Sequence, residues 1–226
     1  MRQPRFLAIT AGLILFALGL TVWQILSFRV PEYVRNPPTT EEIKLKAIQG
    51  AIKLEKPLTR ATDPVIGNPA APFAVVEFAD FQCAYCAETA ANLREIARDL
   101  PDQVKIIWKD APDQRAHPQA MNATLAARCA AEQGAFAQYH DALFANQKNL
   151  SPALYPQIAV DLKLNAGNFE QCLSAKKWQS TVEASIAEAI ALGIGGTPYL
   201  FIGNERVTEN VSKSELKQII ERELKK

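Results

Sequence analysis

The longest apolar run in the chain comes first. From Phe6 to Phe28 there is no charged residue, and only Thr10, Thr21, Gln24 and Ser27 are clearly polar. A helix over Leu7 to Phe28 would be about 33 Å long at ~1.5 Å per residue, enough to cross a hydrocarbon layer of ~30 Å. Trp23 and Phe28 stand near its far end, where aromatic rings favour the membrane interface. Arg2, Arg5 and the terminal amine favour a cytoplasmic N-terminus, and Arg29 and Arg35 oppose it. A cleaved secretory signal is the alternative. Its apolar region would be shorter and would finish in a small-x-small site, for which Ala17-Leu18-Gly19 is the nearest candidate, inside the run. The pattern predicts a single-pass anchor in the inner (cytoplasmic) membrane with the remainder on the periplasmic side. A soluble periplasmic chain after cleavage is the other reading, and both export the rest of the protein.

Periodicity then changes. Pro31, Pro37 and Pro38 forbid a continuous helix. Thr39-Thr40-Glu41-Glu42 resembles a capping box, and Ile43, Ala47, Ile48, Ala51 and Ile52 follow at helical spacing, with lysines elsewhere. This is a short amphipathic helix, ended by Pro57, that serves as a spacer or lies on the next domain; self-association is the competing reading. The chain thus divides into a membrane anchor or signal over 1–30, a connector over 31–61, and a folded domain over 62–226.

Within that domain Phe73 to Phe78 is nearly continuously apolar, the signature of a strand buried on both faces. Ala84 to Leu100, rich in Ala, Glu, Leu and Arg and closed by Pro101, reads as a helix. Val104 to Trp108 reads as a second strand, completing a βαβ unit. His117 to Leu192 is helical in composition, with breaks near Ser151-Pro152, Pro156 and Gly167. Tyr199 to Ile202 is strand-like, Gly203-Asn204 turns, and Arg206-Val207 can return as its partner. Ser212 or Ser214 caps a last helix that runs through Leu224. The order β, α, β, helical block, β, β, α predicts an α/β domain and leaves no room for a second sheet.

About 165 residues in this domain suffice for a single core without metals or staples. The 25 Lys and Arg balance 24 Asp and Glu for a formal charge of +1, and no basic stripe stands out, which excludes a nucleic-acid partner.

Four cysteines carry the candidate chemistry. In an exported chain disulfides persist, and four cysteines allow three pairings. Cys83-Ala84-Tyr85-Cys86 sets two thiols three residues apart at a helix start, where unpaired amides and the helix dipole favour an anion on Cys83. The thiolate is the reactive species, so Cys83 is the expected nucleophile and Cys86 the resolving thiol. Half a zinc site has the same spacing, but Cys129, Cys172, His117 and His140 form no second ligand pair. No cofactor is required, because the pair itself carries two electrons. Cys129 and Cys172 read as a structural disulfide or as two buried thiols; a bridge would close a loop of roughly 43 residues and contribute about 4 kcal/mol. His117-Pro118 reads as a helix cap and His140 as scaffold, neither as a nucleophile's base. Trp108 and Trp178 are assigned to packing.

The stretch from Asp63 to Cys86, with Glu77-Phe-Ala-Asp-Phe-Gln-Cys-Ala-Tyr-Cys at its end, resembles the DsbA-like thiol:disulfide oxidoreductases of the thioredoxin superfamily. A second block, Gly193-Ile-Gly-Gly-Thr-Pro-Tyr-Leu-Phe-Ile-Gly-Asn204, resembles the same family's cis-proline segment. The resemblance covers 62 to 226 and implies a thioredoxin-like fold with a helical insertion at about 116–192. It implies that Cys83 attacks, that Cys86 is buried, and that Thr197-Pro198 is a cis peptide offering backbone groups to a substrate strand. An ordinary proline opening a strand is the alternative there. Glu77 matches the family's buried acid, with a raised pKa and a proton to relay to Cys86; a surface carboxylate is the alternative. Lys109, ending the second strand, is a candidate to neutralise it, with a solvent-facing lysine as the other reading. Ala84 and Tyr85 depart from the family's best-known member, having no proline or histidine between the cysteines. That departure, with Asp80 nearby, pushes toward a less acidic Cys83 and a less oxidising pair. The implied activity is disulfide exchange with thiol- or disulfide-containing exported proteins, as an oxidase recycled by a membrane redox partner. A reductase or isomerase, or a redox-inactive peptide-binding assembly factor, are the alternatives.

Overall fold

The computed structural model describes residues 54–208 and 211–226. The apolar span, the capping box at Thr39 and the helix predicted from Ile43 lie outside the described residues. Among the described residues, no helix is long and apolar enough to cross a membrane.

Five strands, β1 (Val65–Gly67), β2 (Phe73–Ala79), β3 (Val104–Asp110), β4 (Tyr199–Ile202) and β5 (Glu205–Val207), form one sheet in the order β1-β3-β2-β4-β5. Seven helices accompany it among the described residues: α1 (Ala84–Asp99), α2 (Ala120–Ala131), α3 (Phe136–Ala145), α4 (Leu154–Asp161), α5 (Ala166–Ser174), α6 (Gln179–Ala191) and α7 (Lys213–Glu223). Only β2 and β3 are parallel, in register from Phe73 opposite Val104 to Ala79 opposite Asp110, because α1 carries the chain back between them. The remaining pairings are antiparallel.

Alternation along the two central strands sends their side chains to two different layers. Val75, Ala79, Ile106 and Trp108 pack with Leu93 and Ile96 of α1, Leu216 and Ile220 of α7, and the helices of the insertion. Val76, Phe78 and Ile107 pack with Ala189 of α6 and the following Leu192. The helices α2 to α6 occupy 120–191, between β3 and β4. Cys129 on α2 and Cys172 on α5 are joined by a disulfide across a Cα separation of 5.8 Å. Of the two serines expected to cap the last helix, Ser212 does so, in a full capping box with Glu215. The three-residue β1 was not predicted; it exists through pairing with β3, Val65 opposite Ile107.

The same alternation corrects the reading of Lys109. Glu77 stands opposite Trp108 and Phe78 opposite Lys109, so Lys109 emerges on the α6 face, away from Glu77. Its ammonium is fully buried and bonds Asp63 at 3.0 Å, Glu188 of α6 at 3.0 Å and the Leu58 carbonyl at 2.9 Å. Glu188 also receives the Leu58 amide at 2.7 Å and Arg60 at 2.5 Å. The last residues of the connector are therefore fastened to α6, and Leu54 adds a bond to the Ala191 carbonyl at 2.8 Å. On the other face, Asp110 accepts from Trp108 Nε1 at 2.8 Å and from Arg128 of α2 at 2.7 Å.

Candidate redox site

The segment after β2 is folded by one carboxylate. Asp80 is wholly buried; its Oδ1 accepts the Gln82 amide at 2.7 Å, and its Oδ2 accepts the Asp113 amide at 2.9 Å and lies 2.8 Å from His117 Nδ1. A short acidic side chain bonding the backbone two residues on is a turn-former, and here it sets Cys83 at the head of α1. Gln147 clamps the turn from the insertion, giving its amide to the Phe81 and Cys83 carbonyls, each at 2.9 Å.

Cys83 is the N-cap of α1, in an extended conformation, and its sulfur accepts from the Cys86 amide at 3.4 Å. Both cysteines are free thiols, Cys83 slightly accessible at 7% and Cys86 fully buried. The Thr197–Pro198 peptide is cis. The Thr197 carbonyl lies 3.3 Å from Cys83 Sγ, so β4 and the loop before it face the dithiol. That carbonyl contact suits the protonated thiol, but donors to the sulfur outweigh it. Hydrogen bonding from Cys86, together with the Cys86 and Tyr85 amides and a Thr197 side-chain bond, lowers the Cys83 thiol to about 6 against the opposing effect of burial. Burial pushes Cys86 far above the ordinary thiol range. Asp80, anticipated as a charge that would make Cys83 less acidic, has its carboxylate occupied by the turn amides and His117.

Glu77 is buried, and its Oε1 has no hydrogen-bond partner among the described residues. Burial, and then the Cys83 charge, push it up to about 8. At neutral pH the site therefore holds a thiolate at Cys83, a thiol at Cys86 and a protonated acid at Glu77. The first can attack or leave; the last has a proton to give.

Beside Cys83 opens a cavity of about 540 Å³, with Ile186 and Ile190 of α6 and Ile194 on one side and Asp113, Arg115 and His117 on the other. Tyr85 and Ile190 stand exposed at 60% and 52%. His117 does not cap α2, whose N-cap is Gln119 without a side-chain bond; Asp80 has captured its ring. Asp80, His117 and Gln147 are the site residues whose roles the sequence reading missed. His140, read as scaffold, is buried among Phe81, Trp108, Phe136 and Phe144, and burial lowers it to about 3. Cys129 and Cys172 line a separate cavity of about 440 Å³ with Glu132 and Lys177. Among the described residues no group of three or more His, Cys, Asp or Glu could hold a metal.

Paired thiols at the top of a helix, met by a cis-proline loop from an adjacent strand of a mixed sheet, define a thioredoxin-type domain. The chain belongs to the thioredoxin family: the family's sequence model, described as Thioredoxin, matches residues 59–222. A thioredoxin-like oxidoreductase from Silicibacter pomeroyi DSS-3 is 26% identical, with a TM-score of 0.64 over 74% of this chain and 95% of that one. Oxidised BdbD from Bacillus subtilis, 24% identical, shares the fold at a TM-score of 0.67 over 77% of this chain and 99% of its own. The Na(+)/H(+) antiporter NhaA 3 of Salinispora tropica is 33% identical over 195 residues, which are 86% of this chain and 30% of that protein. The chain spans under a third of the length of the curated relatives it matches.

Proposed function

We propose that this thiol:disulfide oxidoreductase is an oxidase of exported proteins, tethered to the inner membrane by the 7–28 segment with its domain on the periplasmic side. The observation that carries the reading is the stabilised Cys83 sulfur, lowered to about 6. A low-pKa thiol leaves readily, and stabilising it favours the reduced pair, which makes the disulfide form oxidising. A substrate thiolate attacks Cys83 Sγ; the Cys83–Cys86 bond breaks, and its electron pair goes to Cys86 Sγ, which takes a proton that Glu77 can supply. A second substrate thiolate then attacks the first substrate sulfur, and Cys83 departs as thiolate. Thr197 and Pro198 present backbone to the substrate strand. The reduced dithiol gives its two electrons to a membrane redox partner, and no cofactor takes part. The Cys129–Cys172 bridge supports export, since such bonds persist in oxidising compartments.

The test is the equilibrium of the Cys83–Cys86 pair with glutathione, run beside insulin reduction and oxidative refolding of a reduced protein. A potential less reducing than thioredoxin's, about −270 mV, with refolding activity is expected. A strongly reducing value with insulin reduction would make the chain a reductase or isomerase. Activity in neither assay would leave a peptide-binding assembly factor.

A further inference from the structure

We infer that His117, aligned by buried Asp80, is the site's proton acceptor for the incoming substrate thiol. The inference rests on the exchange reaction proposed above and adds a residue to it. Three observations meet here. The ring is oriented through Nδ1, held 2.8 Å from an Asp80 oxygen that the Asp113 amide also fixes. His117 and Cys83 line the same cavity. Among the described residues Nε2 has no hydrogen-bond partner and is not a buried unpartnered atom, and the His117 side chain is 30% exposed, which leaves this nitrogen available to a ligand.

The surroundings leave His117 in charge of the proton. The other titratable groups lining the cavity are Cys83, Asp113 and Arg115, and Arg115 Nε bonds Asp113 Oδ1 at 3.3 Å. The α6 wall contributes Ile186, Ala189 and Ile190, with no charge. A carboxylate on Nδ1–H fixes the tautomer that leaves Nε2 as an acceptor. The step balances. Nε2 takes the proton of the substrate S–H, the resulting thiolate forms a bond to Cys83 Sγ, and the Cys83–Cys86 electron pair moves to Cys86 Sγ. His117 then returns its proton to solvent. Between the cysteines stand Ala84 and Tyr85, neither of them a base, and the imidazole reaches the cavity from the loop after β3.

An ordinary thiol has a pKa near 8.5 and is ionised to only ~3% at pH 7, so a fully effective base can gain at most about 30-fold there. The experiment uses the full chain in its Cys83–Cys86 disulfide form and follows mixed-disulfide formation by acid quench and mass. Two probes are compared: glutathione, mostly protonated at pH 7, and thionitrobenzoate, an aromatic thiol already ionised. His117→Gln is expected to slow glutathione about tenfold at pH 7, to leave its rate at pH 9 unchanged, and to leave thionitrobenzoate unchanged throughout. Equal rates for variant and parent with glutathione at pH 7 would overturn the assignment while leaving the exchange reaction standing. So would an equal loss with both thiols at every pH, which is what a merely structural histidine would give. If the parent itself forms no mixed disulfide with either probe, the reaction and the inference fall together.

Discussion

The domain holds two pairs of cysteines, and each has a glutamate beside it, yet the two regions are built for opposite ends. Cys83 is at a helix head with amides aimed at its sulfur; Cys129 and Cys172 sit within α2 and α5, whose own bonding uses up such amides. Glu77 is buried without a partner for Oε1. Glu132 accepts from Trp178 Nε1 at 2.6 Å and from Lys177 at 2.9 Å. Its Oε1 lies 3.9 Å from Cys172 Sγ, a packing contact, since a bridged sulfur has no proton to donate. Reactivity in this fold is thus a matter of unspent backbone donors and an unsatisfied acid, and stability a matter of saturating both.

If that contrast is right, substitutions at the two pairs should separate cleanly. Cys83→Ser should reduce disulfide exchange by on the order of 10³-fold or more, as loss of a nucleophile does. It should leave stability nearly unchanged, because serine is a good N-cap. Replacing Cys129 and Cys172 together with alanine should do the reverse. Opening a loop with 43 residues of sequence separation should lower the unfolding free energy by about 4 kcal/mol, read from urea denaturation, with the exchange rate kept. A double alanine variant that lost exchange would end the division of labour.

The contrast also shows what a sequence discloses. The strand β2, the helix α1 and Cys83 with Cys86 were legible, because their signals are local: an apolar run and a C-x-x-C at a helix start; the cis-proline loop was implied by the family resemblance of its segment. Two features were not. Lys109 reads from the sequence as a candidate partner for Glu77 or as a solvent-facing lysine, and only the register puts it on the face opposite Glu77. Its true partners, Asp63 and Glu188, are 46 and 79 residues away. The Asp80 carboxylate also bonds Asp113 and His117 of another loop, so no window around the cysteines contains these contacts. The transmembrane reading of 7–28 falls outside the described residues.

The unsatisfied acid offers a smaller, pH-dependent test. Glu77 is pushed from 4.5 to about 8 in the folded protein, so between those values the native state binds a proton that the unfolded chain releases. The stability it lends is full below about 4.5 and is lost as pH rises through about 8. Wild-type protein should lose about 3 kcal/mol relative to Glu77→Gln between pH 5 and pH 8, measured as diverging urea midpoints. The slope should be shallower in the disulfide form, where Cys83 carries no charge to raise Glu77. Parallel stabilities for variant and wild type would mean that Glu77 is solvated after all.

The smallest expected effect asks which donors hold the thiolate. Cys86 and the amides of Cys86 and Tyr85 come with the helix, but the Thr197 side chain comes from the facing loop. Thr197→Val keeps the branched shape before Pro198 and removes only the hydroxyl. One lost hydrogen bond to a charged group is worth about 1.4 kcal/mol, or one pKa unit, so the Cys83 midpoint should rise from about 6 to about 7. Iodoacetamide alkylation should then slow about fivefold at pH 6 and not at all at pH 9, where either protein is ionised. Cys129 and Cys172 should stay unmodified under both conditions. An unmoved midpoint would assign the thiolate to the helix head alone and leave the loop only the task of presenting backbone to a substrate. A rise of the expected size makes the reactivity of Cys83 the joint product of the helix head and the facing loop.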